Sequence, residues 1–317
     1  MISSIDLSQD MVNICNSQYT ELLSLPGVVG IALSYKVIDN QTTDMQCIQV
    51  LIEKKLPLNK LSIHHMIPKT YKGFITDVFE TGIIESYLNS SYMRPFNCGY
   101  SVGLSHIGNT GTAGAIVKSK LDKDDNYYVL SNNHVLAREN TAPIGSSILQ
   151  PSQSDGGLYP EDIIANLSRF IPIEFINNNY TPTNTVDCAI AEINNISLAS
   201  PYISGIGLPR GIRHPFIGQL VRKSGRSTGL THGMVMSIGA TIKVNYPYTK
   251  KKALFKNQII TTQMSLKGDS GSLLLDRYGM AIGLLFSGSK NVTLYNRIND
   301  VLSALNVTLV TNYDFAL

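Results

Sequence analysis

Apolar positions along this chain fall into short runs broken by turn-forming residues, and the spacing within the runs changes once. From Gln18 to Pro26 a short helical spacing (Tyr19, Leu22, Leu23) leads into VVGIALSYKVI, the polar stretch DNQTTD and then CIQVLIEKK. Two β-rich runs joined by turn formers predict a hairpin. A further strand is expected in ITDVFETGII, after Pro57 and the mixed segment around Leu61 to Met66. Residues from Val12 to Ser86 therefore read as a small α+β module with its own modest core. Beyond the linker-like SYLNSSYMRPFNCGY the texture becomes GAIVK, NYYVLSNNHV, VDCAIAEI, QLVRKSG, GMVMSIGATIKVNY, NQIITTQM, GSLLLD and GMAIGLLFSG. Short strands at this density, with Gly, Asn and Pro between them, predict an all-β barrel or sandwich. The expected organisation is a module with linker over residues 1–95 and a β domain over residues 96–317.

Two long polar loops, RENTAPIGSSILQPSQSDGGLYPED and NNNYTPTNT, interrupt the β domain, and loops of that length in a compact domain are usually functional or mobile. The segment GIGLPRG at Gly205 to Gly211 has the wrong glycine spacing for a phosphate loop and reads as a turn. Lys250, Lys251 and Lys252, with Lys256 nearby, read as a solvated hairpin tip.

Composition narrows the function classes. The 317 residues are 43% hydrophobic and 15% charged, with a formal net charge of +3, which describes a globular protein without a nucleic-acid grip. No apolar window is long enough to span a membrane, since Asp276 and Arg277 split the greasiest region. The start, MISSIDLSQDMVNIC, lacks a basic region and a long apolar run, so a cytoplasmic location is expected. Cys15, Cys47, Cys98 and Cys188 lie far apart without a C-x-x-C pair, so buried thiols are expected rather than a disulfide framework or a zinc site. His64 and His65 have no third ligand at a usable spacing, so no metal is expected.

The chemistry sits in KGDSGSLLLD, Lys267 to Asp276. A serine hydroxyl is a poor nucleophile at neutral pH, so Ser270 would need a base to take its proton and a carboxylate to orient that base. His134, at the end of the expected strand NYYVLSNNHVL, is the candidate base. Asp187 opens the apolar strand TVDCAIAEI, where a buried charge is costly unless something pairs with it. In a G-D-S-G turn the amides of Gly268 and Ser270 can point the same way and form an oxyanion hole. The chain order His134, Asp187, Ser270 belongs to double β-barrel hydrolases; subtilisin-type triads start with Asp and α/β-hydrolases with Ser. The elbow G-x-S-x-G of the latter is absent, because Ser272 stands where its last glycine would be.

On these blocks, GAIVK…YYVLSNNHVL, VDCAIAEI and KGDSGSLLLD followed by AIGLLFSGS, the chain resembles trypsin-like serine peptidases over residues 99–308. KSGRSTGLTHGMV is similar to a hairpin of the bacterial, streptogrisin-like members. The N-terminal segment ending near IPKTYKG…TDV resembles the α+β module of bacterial intracellular trypsin-like proteins. The resemblance implies a chymotrypsin-like double β-barrel and peptide hydrolysis through an acyl-enzyme. It implies His134 as general base and then acid, Asp187 as its orienter, Ser270 as nucleophile, and the Gly268 and Ser270 amides as the oxyanion hole. It implies a protein substrate and no cofactor or metal. The chain departs from the pattern in GDSGS for GDSGGP, in having no cysteine near Ser270, and in FNCGYSVGLSH, which offers no Ile/Val activation site. Trypsins pair the aspartate before the serine with a freed N-terminus, which leaves open whether Asp269 finds another partner.

By the same resemblance the pocket for the residue before the scissile bond falls to Met264 and Ser265 and to Phe286, Ser287 and Gly288. A thioether at its floor would suit an apolar residue and not Arg or Lys. Three readings follow: a cytoplasmic serine endopeptidase controlled by a regulatory partner of its N-terminal module, a catalytically silent binding module on the same scaffold, and a switch that cuts itself once.

Overall fold

The computed structural model describes residues 8–39, 41–57, 62, 65–82, 89–106, 108–121 and 126–311. His64 lies outside them. The chain divides into two compact units, Met1–Ser86 and Tyr87–Leu317.

In the first unit, helices Gln9–Ser17 and Thr20–Leu23 precede a four-stranded sheet. The strands Val28–Ile38 and Gln41–Ile52 form the expected hairpin, with Ile38 opposite Gln41. The turn is tighter than the stretch DNQTTD suggests. Asp39 takes a φ of 51°, as a two-residue hairpin loop demands, and the rest of the polar stretch continues as strand. Strand Phe74–Glu80 adds in parallel beside Gln41–Ile52, and Ile14, Leu22, Ile48, Val50, Ile52 and Tyr71 form the core.

The second unit begins earlier than the texture change suggests. Asn89 donates from Nδ2 to Ser224 Oγ at 3.0 Å and to the Gly225 carbonyl at 3.2 Å, and the Arg94 guanidinium donates to the Gln150 carbonyl at 2.9 Å. These bonds tie residues ahead of position 96 into the β domain.

Its first sheet runs in the spatial order Val307–Leu309, Ala115–Ser119, Tyr127–Ser131, Ala189–Ile193, Ile163–Phe170, Ser147–Leu149, Ser101–Leu104 and Gly111–Thr112. Gly111–Thr112 and Ala115–Ser119 are successive runs of one bent stretch of chain, so the sheet curls back on itself. The bend needs Gly114, where a Cβ would lie 2.1 Å from the Gly271 carbonyl oxygen.

In the second sheet, six strands each pair with two others in a closed ring. Leu220–Gly225 pairs with Gly229–Tyr246 and Leu273–Asp276, Lys251–Thr262 with Gly229–Tyr246 and Val292–Arg297, and Met280–Gly288 with Leu273–Asp276 and Val292–Arg297. Closure leaves the ring no free edge. Val221, Val235, Ile259, Met264, Leu274, Ile282, Leu285 and Tyr295 fill its interior. The helix Ile298–Leu305 then buries Ile298, Val301, Leu302 and Leu305 in the first barrel's core. The architecture is mainly β, a double β-barrel with a small helix-containing module before it, as expected.

The basic run caps a hairpin, with Lys250 at a φ of 57° and Lys251 and Lys252 exposed. Gly205 and Gly207, with φ of 70° and 105°, make GIGLPRG a turn. All four cysteines are unpaired thiols, and Cys47, Cys98 and Cys188 are buried. Among the described residues no helix is long and apolar enough to cross a membrane.

Candidate active site

A cavity of about 860 Å³ opens in the second unit, lined from the first barrel by His134 and Arg138 and from the second by Tyr246, Gly268 and Ser270. His134 does not end a strand. The strand stops at Ser131, and Asn133–Leu136 forms one helical turn, because the Asn132 carbonyl accepts the Val135 and Leu136 amides at 3.2 and 3.0 Å. The next residues, Arg138, Glu139 and Asn140, have φ of 47°, 54° and 74°. Three left-handed residues in a row are strained unless their surroundings hold them. Here Asn140 is locked to Asn133 through Nδ2 of Asn133, at 2.7 Å, and its own amide, at 3.0 Å. The Glu139 carboxylate accepts the Tyr248 and Thr249 amides at 3.0 and 2.7 Å, tying the chain beyond His134 to the second barrel.

Asp187 is fully buried, two residues ahead of the strand Ala189–Ile193 rather than at its first position. Its backbone is fixed on both sides: its amide donates to Asn296 Oδ1 at 2.9 Å and its carbonyl accepts Asn132 Nδ2 at 2.7 Å. Its carboxylate accepts three hydrogen bonds. Oδ1 takes the His134 amide at 3.2 Å, and Oδ2 takes His134 Nδ1 at 2.6 Å and the Tyr246 hydroxyl at 2.8 Å. With Nδ1 donating, the imidazole keeps its Nε2 lone pair. Burial pushes the His134 pKa down, but the charge and hydrogen bond of Asp187 and the charge of Glu139 outweigh it, and the pKa lies above 6.5.

Tyr246 has no counterpart in the sequence reading, although alternation puts it on the inward face with Val244. Burial, reinforced by Asp187, raises its phenol well above 10, so it stays a donor throughout the working pH range. Tyr246→Phe removes one of the two donors on Oδ2 and strengthens the pull of the carboxylate on the imidazolium. The His134 titration midpoint, followed by NMR, is expected to move up by about half a pH unit, in line with a hydrogen bond worth of order 1 kcal/mol. A midpoint that stays put or moves down would show that this hydroxyl does not serve Asp187.

Ser270 and Gly271 are wedged against the first barrel. The Ser270 carbonyl accepts the Thr112 amide at 2.8 Å, and a Cβ on Gly271, whose φ is 96°, would lie 2.3 Å from the Thr112 carbonyl oxygen. Asp269 finds its cation within the chain. Lys223 Nζ lies 3.2 Å from Asp269 Oδ2, with both side chains fully buried. Oδ1 also accepts the amides of Ser227 and Thr228, at 2.8 and 3.1 Å, and Oδ2 the Leu266 amide and the Thr228 hydroxyl, at 2.9 and 2.7 Å. Burial lowers the Lys223 pKa, and Asp269 opposes that shift.

Of the expected pocket residues, Ser265, Phe286, Ser287 and Gly288 line the cavity and Met264 does not. Met264 turns into the second barrel, where Tyr295 Oη lies 3.8 Å from its sulfur, and Gly233 leaves it room, since a Cβ there would sit 2.5 Å away. The apolar preference argued from a thioether floor loses its premise. Among the described residues no cluster of His, Cys, Asp or Glu could hold a metal ion.

No family model matches the chain. Streptogrisin-A of Streptomyces griseus is 35% identical over 100 residues, 30% of this chain and 32% of that protein, so the chain spans about a third of the curated relative's length. Among solved structures, Thermobifida fusca Protease A covers 68% of this chain over 98% of its own length, with 19% identity and a TM-score of 0.48. Nocardiopsis protease covers 67% over 96% of its own length, with 19% identity and a TM-score of 0.47. Over that 100-residue segment the chain is similar to streptogrisin-A.

Proposed function

We propose that the chain is a serine endopeptidase that hydrolyses peptide bonds of a protein substrate through an acyl-enzyme on Ser270. One observation carries this reading: a buried carboxylate holds the His134 imidazole by Nδ1 at the lip of the cavity that Ser270 and Gly268 also line. In the reaction His134 Nε2 takes the Ser270 proton as Oγ attacks the carbonyl carbon. The carbonyl oxygen gains the negative charge and is held by the Gly268 and Ser270 amides. Collapse expels the amine, which leaves with the proton from His134, and water repeats the sequence to free the acid. Asp187 stabilises the imidazolium that forms in each half.

The Lys223–Asp269 pair supports a chain active as synthesised, because a lysine already supplies the cation that a freed N-terminus provides in trypsins. Unpaired cysteines fit a cytoplasmic location. Regulation through a partner of residues 1–86 belongs to the same proposal, since a free peptidase in a cytosol needs restraint.

A fluorophosphonate probe tests the reading. Wild type is expected to label on one residue, Ser270→Ala to lose all labelling with its melting temperature kept, and labelling to slow below the His134 pKa. Equal labelling of Ser270→Ala, or a folded wild type that never labels, would sink the enzyme and leave the silent binding module.

A further inference from the structure

The turn that carries the two oxyanion amides is held from behind by hydroxyl groups. In a trans peptide the C=O and N–H point in opposite directions, and the peptides around Ser270 are trans. The Lys267 carbonyl accepts the Ser227 hydroxyl at 2.6 Å, so the N–H of the same peptide, that of Gly268, points the other way. The Asp269 carbonyl accepts the Ser272 hydroxyl at 2.5 Å and the Ser272 amide at 3.0 Å, which turns the Ser270 N–H away from them. Between the two, the Gly268 carbonyl accepts the Thr112 hydroxyl at 2.9 Å. Neither the Gly268 nor the Ser270 amide has a hydrogen-bond partner among the described residues, although both residues line the cavity.

The surroundings are cut to fit these hydroxyls. Gly268 has a φ of 102°, and a Cβ there would lie 2.4 Å from Ser227 Oγ. Ser227 is itself anchored to the turn through its amide on Asp269. Ser272 is fully buried, and its hydroxyl occupies space left by Gly225, where a Cβ would come within 2.4 Å of it. Ser272 is also the residue that departs from the G-D-S-G-G pattern. An empty pair of amides invites the Lys267–Gly268 peptide to turn over and fill the hole with its own carbonyl oxygen. A hydroxyl bound to that oxygen from the far side opposes the flip.

We propose that Ser227 and Ser272 are positioning residues of the oxyanion hole, each fixing the carbonyl whose partner N–H faces the substrate. This rests on the serine endopeptidase reading. Without them the hole would be filled part of the time, which slows the chemical step and spares substrate binding.

The experiment compares full-length wild type, Ser227→Ala, Ser227→Thr and Ser272→Ala. Substrate is a peptide anilide that wild type cleaves, and the second probe is the matching peptide aldehyde, whose hemiacetal oxygen occupies the hole. Ser227→Ala is expected to lower kcat about tenfold, less than the roughly 10²- to 10³-fold cost of deleting an oxyanion donor outright, with KM within about twofold. Aldehyde affinity is expected to fall by the same factor, the pH midpoint to stay, and Ser227→Thr to restore both. Ser272→Ala is expected to follow the same pattern; because it is buried its melting temperature is measured too, and if it unfolds early the half-buried Ser227 decides. Unchanged kcat in Ser227→Ala, a loss confined to KM, unchanged aldehyde affinity, or a moved pH midpoint would each overturn the proposal while wild-type activity left the peptidase reading standing. A wild type that neither labels with fluorophosphonate nor cleaves any peptide would remove both.

Discussion

Asp187→Asn is expected to lower kcat about 10⁴-fold while leaving KM and the melting temperature near those of wild type. The reason lies in which donors surround the carboxylate. Oδ1 accepts a backbone amide, that of His134, which cannot reverse its polarity. An asparagine at 187 must therefore keep its carbonyl oxygen at that position and place its NH2 where Oδ2 was. There the NH2 meets His134 Nδ1 and the Tyr246 hydroxyl, 2.6 and 2.8 Å from Oδ2 in the native site. The tyrosine can rotate its proton away and accept. The imidazole can accept only by moving its proton from Nδ1 to Nε2, the nitrogen that has to receive the Ser270 proton. The variant keeps its shape and loses its base. Steady-state kinetics on a peptide substrate, with thermal melting as the control, checks this. A loss smaller than about tenfold would mean that the tautomer is not held by Asp187, and the proposed mechanism would lose its orienter.

The candidate catalytic residues are legible because each has local meaning: a carboxylate before an apolar strand, a histidine after one, and a serine between glycines. The barrels were legible because alternation and turn formers are local as well. What stayed hidden lies in pairings across the sheet. Lys223 sits in LVRKSG, where a basic residue looks like solvent-facing decoration, yet its parity puts it inward with Val221 while Arg222 faces out. That parity was the available signal, and only the fold shows that Asp269 waits opposite. Tyr246 stays hidden for the same reason. Met264 shows the reverse error. The resemblance implies its place along the chain but not the direction of its side chain, and the gap at Gly233 turns it into the barrel. The apolar neighbours of His134 suggest a strand end, whereas Asn132 and Asn133 start a helical turn that the strand pattern conceals.

Lys223→Met is expected to destabilise the β unit by about 3 kcal/mol, since removing one member of a buried pair leaves the other charge without its counter-ion. For a unit of this size that corresponds to a fall of roughly 6–12 °C in the melting temperature. Four hydrogen bonds still serve the Asp269 carboxylate, from Ser227 N, Thr228 N, Thr228 Oγ1 and Leu266 N, and they hold the cost toward the lower end of the usual range. Activity is expected to fall further than stability, because Asp269 lies between the two proposed oxyanion amides and its bonds to Ser227 and Leu266 set the turn from both ends. Lys223→Arg keeps the charge but must fit a bulkier planar group into a fully buried site, so an intermediate loss is expected. In Lys223→Met with Asp269→Asn the stranded charge is gone, and the melting temperature is expected to recover part of the difference while kcat does not. That contrast separates the two roles of the pair. A recovery of kcat along with stability would show that the ammonium supports folding alone, and a Lys223→Met variant that melts and turns over like wild type would show that the pair does neither.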